Sequence, residues 1–105
     1  MSGIFGLVHL DHSPVGQEEL YAMRSAMQEW GPDAGGTWRE GPAGLGSLIL
    51  FDTPEAAYEK TPLRSAQGLV LTAEARLDNR EELCGEVGIP ASERPRLADG
   101  DLLLY

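Results

Sequence analysis

Cysteine and basic residues are scarce in this sequence. The first shortage argues against disulfides and metal sites, and the second against anionic partners. The one cysteine, Cys84, cannot form an internal disulfide and has no Cys or His neighbour at metal-ligand spacing, so we expect no metal site. Eight Lys and Arg residues stand against seventeen Asp and Glu residues, which gives a formal net charge of −9. Because this charge repels phosphate backbones and anionic lipids, we expect neither nucleic acid nor a membrane surface as a partner.

Long apolar runs are also missing. No stretch approaches the length of a membrane span, and the first apolar segment meets a polar turn at residues 11–14, too early for a signal peptide. We therefore expect a cytoplasmic protein. Hydrophobic residues make up 42% and charged residues 24% of the 105 residues, a balance that favours a folded domain over a disordered chain.

The pattern of apolar residues predicts a strand and then a helix at the start of the chain. The strand runs from Gly3 to Leu10 and is apolar on both faces, which is typical of a covered strand in the centre of a sheet. The helix runs from Gln17 to Trp30, and Gly31-Pro32 ends it. Its predicted packing stripe consists of Leu20, Met23, Met27 and Trp30.

A hairpin and a further strand are predicted for the middle of the chain. Strands from Gly36 to Glu40 and from Gly44 to Phe51 are joined at Gly41-Pro42. Residues 52–62 form a turn-rich connection, and residues 67–77 are strand-like through their apolar centre.

Two short helices are predicted for the last third. Asn79 and Glu82 form a possible capping box for a helix that reaches about Val87, and Asp99 is the predicted N-cap of a final helix. The apolar end of that helix meets no capping residue, so we expect the chain to stop within a longer domain. Mixed strands without regular βα alternation indicate an α+β fold.

Four motifs resemble landmarks of the class II glutamine amidotransferases, in the family's order and at about its spacing. Residues 1–6, Met-Ser-Gly-Ile-Phe-Gly, are similar to the family's N-terminus, and Gly31-Pro32-Asp33 resembles its Arg-Gly-Pro-Asp turn. Gly44-Leu45-Gly46 resembles its Gly-Leu-Gly strand, and Asp99 its Ser-Asp-Thr-Glu segment. Residues 53–55 and 71–83 are most similar to the asparagine-synthetase-like cyclases of lasso-peptide biosynthesis.

The resemblance implies the N-terminal portion of a four-layer αββα sandwich of the N-terminal-nucleophile hydrolase type. Residues 1–105 would be a glutaminase-like domain, truncated at its C-terminal side, and the family's ATP-pyrophosphatase synthetase domain is absent from this chain. No cofactor is implied for this segment, whereas ATP and magnesium are implied for the synthetase domain. The implied partners are that domain, a precursor peptide and the peptide's processing proteins.

The same resemblance implies a glutaminase site that has lost its chemistry. Ser2 stands at the position of the family's cysteine nucleophile, and Ile49 at that of the arginine that holds the substrate carboxylate. Glu74-Ala75 replaces the Asn-Gly pair of the oxyanion hole. Asp99 matches the residue that holds the substrate amino group, although an N-cap role explains it equally well. We therefore expect an inactive glutaminase site.

The remaining candidate residues favour structural interpretations. Cys84 is expected to be an inert, partly buried helix residue. His9 and His12 have no acidic or thiol partner at obvious spacing, so we expect surface or turn residues. Trp30 replaces the arginine of the Arg-Gly-Pro-Asp turn and is expected to be a packing residue.

Three functions stay open at this point. The first is a non-catalytic amidotransferase-like domain that supports an ATP-dependent amide-forming domain, as in a lasso-peptide cyclase. The second is a serine N-terminal-nucleophile amidase with a substrate other than glutamine, which requires removal of Met1. The third is a stand-alone interaction module. Of the three, only the second makes this segment itself catalytic.

Overall fold

The computed structural model describes residues 2–31, 33–51 and 54–105. Three positions named in the sequence analysis lie outside these residues. They are Met1, whose removal the amidase hypothesis requires, Pro32 of the Gly-Pro-Asp motif and Thr53 of the cyclase-like motif. The α-helices are α1 (Gln17–Ala26), α2 (Arg80–Val87) and α3 (Asp99–Leu104). The strands are β1 (Gly3–Val8), β2 (Ala34–Glu40), β3 (Ala43–Ile49), β4 (Leu63–Arg64) and β5 (Val70–Leu71). Short 3-10 helices span Gln28–Trp30, Pro54–Tyr58 and Arg94–Arg96.

The strands form antiparallel sheets. β1, β3 and β2 make a three-stranded sheet in that order, and β4 pairs with β5. This arrangement confirms the predicted α+β class. Among the described residues, no helix is long and apolar enough to cross a membrane.

β1 lies at the edge of its sheet, so the prediction of a covered central strand is wrong. It pairs along its length with β3, from Gly3 opposite Leu48 to Val8 opposite Ala43. Phe5 is buried against α1, whereas Ile4 and Val8 on the other face are 45% and 61% exposed. The apolar pattern identified both faces correctly as hydrophobic, but it cannot show whether a neighbouring layer covers them.

The main core lies between α1 and one face of this sheet. Phe5, Leu20 and Leu48 are buried together there, with Met23 and Met27 packed against them. Gly46 permits this packing, because a Cβ at that position would overlap the ring of Phe5. A Cβ on neighbouring Gly44 would lie 3.0 Å from methyl groups of Leu20 and Val15.

Trp30 does not belong to this core, which corrects its predicted packing role. The α-helix ends at Ala26, and the following residues form a 3-10 turn. A 3-10 helix has three residues per turn, whereas an α-helix has 3.6. Trp30 therefore does not continue the apolar stripe of α1. Its side chain is 52% exposed.

The hairpin between β2 and β3 has the predicted position. Gly41 adopts a positive φ of 54°, which a glycine tolerates without a steric penalty. β2 begins at Ala34, slightly before the predicted start, and β3 ends at Ile49, two residues before Phe51. Phe51 is exposed, so no core contact extends the strand to that residue.

A second apolar cluster joins α2 and α3. Cys84, Ile89 and Leu102 are buried in it, so Cys84 is a helix residue as predicted but is fully rather than partly buried. α2 ends at Val87, and its C-cap Gly88 has a φ of +77°. The predicted capping box of α2 does not form, because Asn79 is the N-cap but makes no side-chain cap hydrogen bond. The strand predicted over residues 67–77 is limited to β5.

α3 begins one residue earlier than an Asp99 N-cap would require. Ala98 is the N-cap and Asp99 is the first helical residue. The Ala98 N–H donates to the Asp101 carboxylate at 2.9 Å. The N-cap assignment of Asp99 is therefore wrong, and its carboxylate is free for the contacts described below.

Replacement of Gly46 by alanine tests the importance of the close approach between Phe5 and β3. We expect Gly46→Ala to lower the free energy of unfolding by about 1–3 kcal/mol, because the added methyl group displaces the buried ring. Gly85→Ala is the matched control, since a Cβ there has no neighbour within 4 Å and α2 gains up to about 1 kcal/mol from the better helix former. Urea unfolding of both variants provides the comparison, and equal stabilities would contradict this account of the core.

Candidate functional site

Ser2 lies at the end of the three-stranded sheet, next to the last residues of β3. The register that sets Gly3 opposite Leu48 brings the preceding Ser2 to the chain just beyond β3. There the Leu50 N–H donates to the Ser2 hydroxyl oxygen at 3.0 Å, and Ser2 is half-buried. Ser2 and Ile49, two of the predicted site positions, are therefore brought close together by strand pairing.

The end of β3 presents an apolar side chain beside Ser2, and an acid lies on the other side of β3, just before β2. Ile49 is only 4% exposed, so this position offers a buried hydrocarbon surface rather than a cation. Asp33 accepts a hydrogen bond from the Phe51 N–H at 2.8 Å, and its own N–H donates to the Ile49 carbonyl at 3.1 Å. A ligand carboxylate at this end of β3 would meet a negative charge, which repels it.

Glu74 and Ala75 lie on the surface, in the irregular segment between β5 and α2. Both residues are exposed. The Thr72 hydroxyl donates to the Gly46 carbonyl at 3.0 Å, which fixes the start of this segment against the middle of β3. In the part of the chain that the structure describes, the recorded partner of the Ser2 hydroxyl is Leu50 and not either of these residues.

Asp99 connects the starts of α2 and α3. One carboxylate oxygen accepts the Leu77 N–H at 3.0 Å, and the other accepts a guanidinium N–H of Arg80. Arg80 also donates to the Leu97 carbonyl. The side chains of Arg80 and Asp99 are only 19% and 14% exposed, so the pair is largely shielded from water. Both oxygens of Asp99 are engaged within the protein, and these contacts belong to the second apolar cluster rather than to Ser2.

A polar cluster around His9 was missed by the sequence analysis, which expected no acidic partner for this residue. His9 Nε2 lies 2.8 Å from Glu19 Oε2, and Nδ1 lies 3.0 Å from the Ser13 carbonyl oxygen. The Ser13 hydroxyl lies 2.9 Å from the same Nδ1 and donates to Asp11 at 2.7 Å. Asp11 and Ser13 are close in sequence, but Glu19 reaches His9 only because α1 packs on β1.

The charges of this cluster favour an imidazolium. The hydrogen bond to Glu19 raises the pKa of His9, and the Ser13 carbonyl and Asp11 act in the same direction against a smaller opposing effect of burial. The Gly16 N–H and His9 together lower the pKa of Glu19. The Ser13 hydroxyl has a single proton and donates it to Asp11, so this arrangement does not place His9 as the base of an activated serine. The cluster instead joins the end of β1 to the start of α1.

A groove of about 230 Å³ is lined by Arg80, Glu81, Ala91, Arg94 and Pro95. Its two cations already have protein partners: Arg80 binds Asp99, and Arg94 donates to Glu81 at 2.8 Å. We therefore do not assign an anion site to it. Within residues 2–31, 33–51 and 54–105, no three His, Cys, Asp or Glu side chains are grouped so that they could hold a metal ion.

Comparisons of this chain with models of protein families, with curated proteins and with solved structures find no match. The amidotransferase resemblance thus depends on the motifs quoted above. The structure places the predicted site residues in three separate locations. Ser2 lies beside Ile49, Glu74 and Ala75 are on the surface, and Asp99 binds Arg80.

A structural role for Asp99 predicts a large loss of stability when its side chain is removed. We expect Asp99→Ala to lower the free energy of unfolding by about 2–5 kcal/mol, because Arg80 would keep a largely buried charge without its partner. Asp78→Ala is the control, since Asp78 and Arg76 form an ion pair that is mostly exposed and contributes less than about 1 kcal/mol. Chemical unfolding measures both values. A fully stable Asp99→Ala protein would contradict the structural role.

The raised pKa of His9 predicts a stability contribution that depends on pH. This contribution is fully present below the ordinary histidine pKa of about 6.5 and is lost as the pH rises through the higher pKa of the folded state. The urea midpoint of the wild type should therefore exceed that of His9→Asn at about pH 5.5, and the gap should narrow by about pH 8.5.

His12→Asn is the matched control for this pH series, because His12 has a φ of 64° that asparagine tolerates well. We expect its midpoint to follow that of the wild type across the series. A gap between His9→Asn and the wild type that stays constant with pH would contradict the assigned charge of His9.

Proposed function

We propose that residues 1–105 form an amidotransferase-like domain without glutaminase activity, within an ATP-dependent amide-forming enzyme of the asparagine synthetase family, of the lasso-peptide cyclase type. The motif series supports the family. The arrangement at the end of β3 supports the loss of glutamine hydrolysis.

The observation that carries the proposal is the buried Ile49 next to Ser2. In the resembling enzymes, the position of Ile49 holds the arginine that binds the α-carboxylate of glutamine. Here a hydrocarbon side chain fills that position, and Asp33, on the β2 side of β3, adds a negative charge to this end of the strand. Removal of a cation from a bound carboxylate typically costs about 2–5 kcal/mol, which is enough to abolish useful affinity.

A second loss supports the same conclusion at the oxyanion position. Glu74-Ala75 stands where the family has an Asn-Gly pair, and both residues are exposed in this chain. Loss of one oxyanion donor typically lowers the rate by about 10²–10³-fold. A carboxylate cannot donate a hydrogen bond when ionised, so Glu74 does not replace the missing donor.

We also propose that the domain adopts the N-terminal portion of a four-layer αββα sandwich. An αββα sandwich requires a second sheet over the face of β1, β3 and β2 opposite α1. The chain around Thr61 covers this face at β3, where Ser47 is buried and donates to the Thr61 carbonyl, but the β1 side of the face is exposed. Ile4 and Val8 project apolar side chains from that face. Two sheets packed in this way would bury them, which is consistent with their composition. The four-layer sandwich is thus our interpretation of an otherwise unexplained apolar surface.

In the proposed enzyme this domain supports the synthetase domain rather than catalysing a step. By the family resemblance, the synthetase domain activates a side-chain carboxylate of a peptide with ATP and magnesium, and the N-terminal amine of the peptide attacks it. This reaction consumes no ammonia. A glutaminase site is then unnecessary, and its residues are free to change.

Glutamine hydrolysis should be absent and should not return when the thiol nucleophile is restored. We expect neither the full-length protein nor its Ser2→Cys variant to release glutamate, because Ile49 and Glu74 still remove the anchor and the donor. At about 2–5 kcal/mol for the anchor and about 2.7–4 kcal/mol for the donor, turnover falls by at least about three powers of ten.

A coupled assay for glutamate release tests this expectation, with a glutamine-using relative as the positive control. A rate within about tenfold of that control, which corresponds to about 1.4 kcal/mol, would overturn the proposal.

A further inference from the structure

Two buried polar atoms have no hydrogen-bond partner at the contact between α3 and the chain just before β4. They are Glu59 Oε1 and Thr61 Oγ1, in the part of the chain that the structure describes. Thr61 is only 3% exposed. Unpaired buried polar atoms are costly and uncommon in folded proteins, so this pair requires a physical explanation.

The carboxyl group of Glu59 packs directly on the backbone of α3. Its Oε2 accepts the Gly100 N–H at 3.2 Å. Its Oε1 occupies the place where a Cβ on Gly100 would lie, and the Thr61 methyl group lies 3.2 Å from the same point. The unpaired Oε1 is shielded from solvent at this contact, so an ionised carboxylate would keep its charge there without a hydrogen-bond donor. A bound proton removes that charge.

The charges around Glu59 also favour its protonated form. Asp99 and Asp101 face it from α3, while Lys60, next in sequence, approaches it with a backbone N–H. Among the cations of the packed elements, Arg64 of β4 and Arg96 of the 3-10 turn are exposed. Arg80 and Arg94 are paired with Asp99 and Glu81. Burial first, and then the two aspartates, raise the pKa of Glu59 against the opposing hydrogen bond from Gly100.

We propose that a proton on Glu59 fastens α3 to the segment before β4, and that loss of this proton to solvent loosens α3. In the neutral form, Glu59 accepts from Gly100 without placing a charge beside Asp99 and Asp101. In the ionised form, a half-buried carboxylate lies beside two others, and separation of α3 relieves that repulsion. Since α3 carries Asp99, its release also weakens the contact with Arg80. The device therefore makes the attachment of α3 sensitive to pH.

Amide hydrogen exchange tests the proposal, because it measures the opening of α3 separately from that of the sheet. Protection of the α3 amides is compared with protection of the β3 amides at about pH 4.5 and about pH 8, after correction for intrinsic exchange rates. In the wild type, we expect the α3 amides to lose about fivefold or more of their protection relative to β3 between these two pH values. Glu59→Gln, which keeps the shape without the charge, should retain the protection at both pH values.

Two further variants make the result specific. Glu40→Gln removes a charge from an exposed strand end and should behave as the wild type does, which controls for the net charge of −9. Thr61→Val removes the other unpaired atom and should keep the pH dependence, because Glu59 still titrates. The proposal is overturned if Glu59→Gln loses α3 protection as the wild type does, if the wild type shows no loss, or if Thr61→Val abolishes the pH dependence.

Discussion

The close approach of Phe5 and α1 to β3 is the constraint on which the main core depends. Gly44 and Gly46 present no side chain to α1, so the Phe5 ring lies across β3 and Leu20 reaches the strand backbone. Leu48 then completes the buried surface between helix and sheet. The same pairing that aligns Phe5 with Gly46 also brings Ser2 to Leu50. The geometry of the candidate site is thus a consequence of core packing.

The chain around β4 and β5 is connected to the three-stranded sheet by polar contacts. The Ser47 hydroxyl donates to the Thr61 carbonyl at 2.5 Å, and the Thr72 hydroxyl donates to the Gly46 carbonyl at 3.0 Å. At α3 the contact depends on Glu59, whose carboxyl group is costly to ionise. A chain with a net charge of −9 adds general repulsion to this local one. The main core is therefore stabilised by close apolar packing, whereas α3 is held both by Leu102 in the second apolar cluster and by the polar contacts of Asp99 and Glu59.

The elements that the sequence predicts correctly are those with local causes. The turn at Gly41-Pro42 and the apolar spacing of α1 require no knowledge of distant residues. The errors arise where distant parts of the chain meet. The edge position of β1 depends on which strands pair, and the role of Asp99 depends on the approach of Arg80 and Leu77. At the candidate site, the apolar character of Ile49 could be read directly from the sequence, but its burial beside Ser2 required the strand register. The unpaired atoms of Glu59 and Thr61 leave no sequence signal at all.

The central claim is that the end of β3 has no anchor for the α-carboxylate of glutamine. The most direct measurement is a titration of the isotope-labelled protein with L-glutamine to about 10 mM, a concentration that reveals even millimolar binding, followed by the backbone amide signals of residues 49–51. The account predicts that these signals do not shift in a saturable way, because Ile49 is apolar and Asp33 repels a carboxylate. Saturable shifts centred on the Leu50 amide, which Ser2 binds, would contradict it.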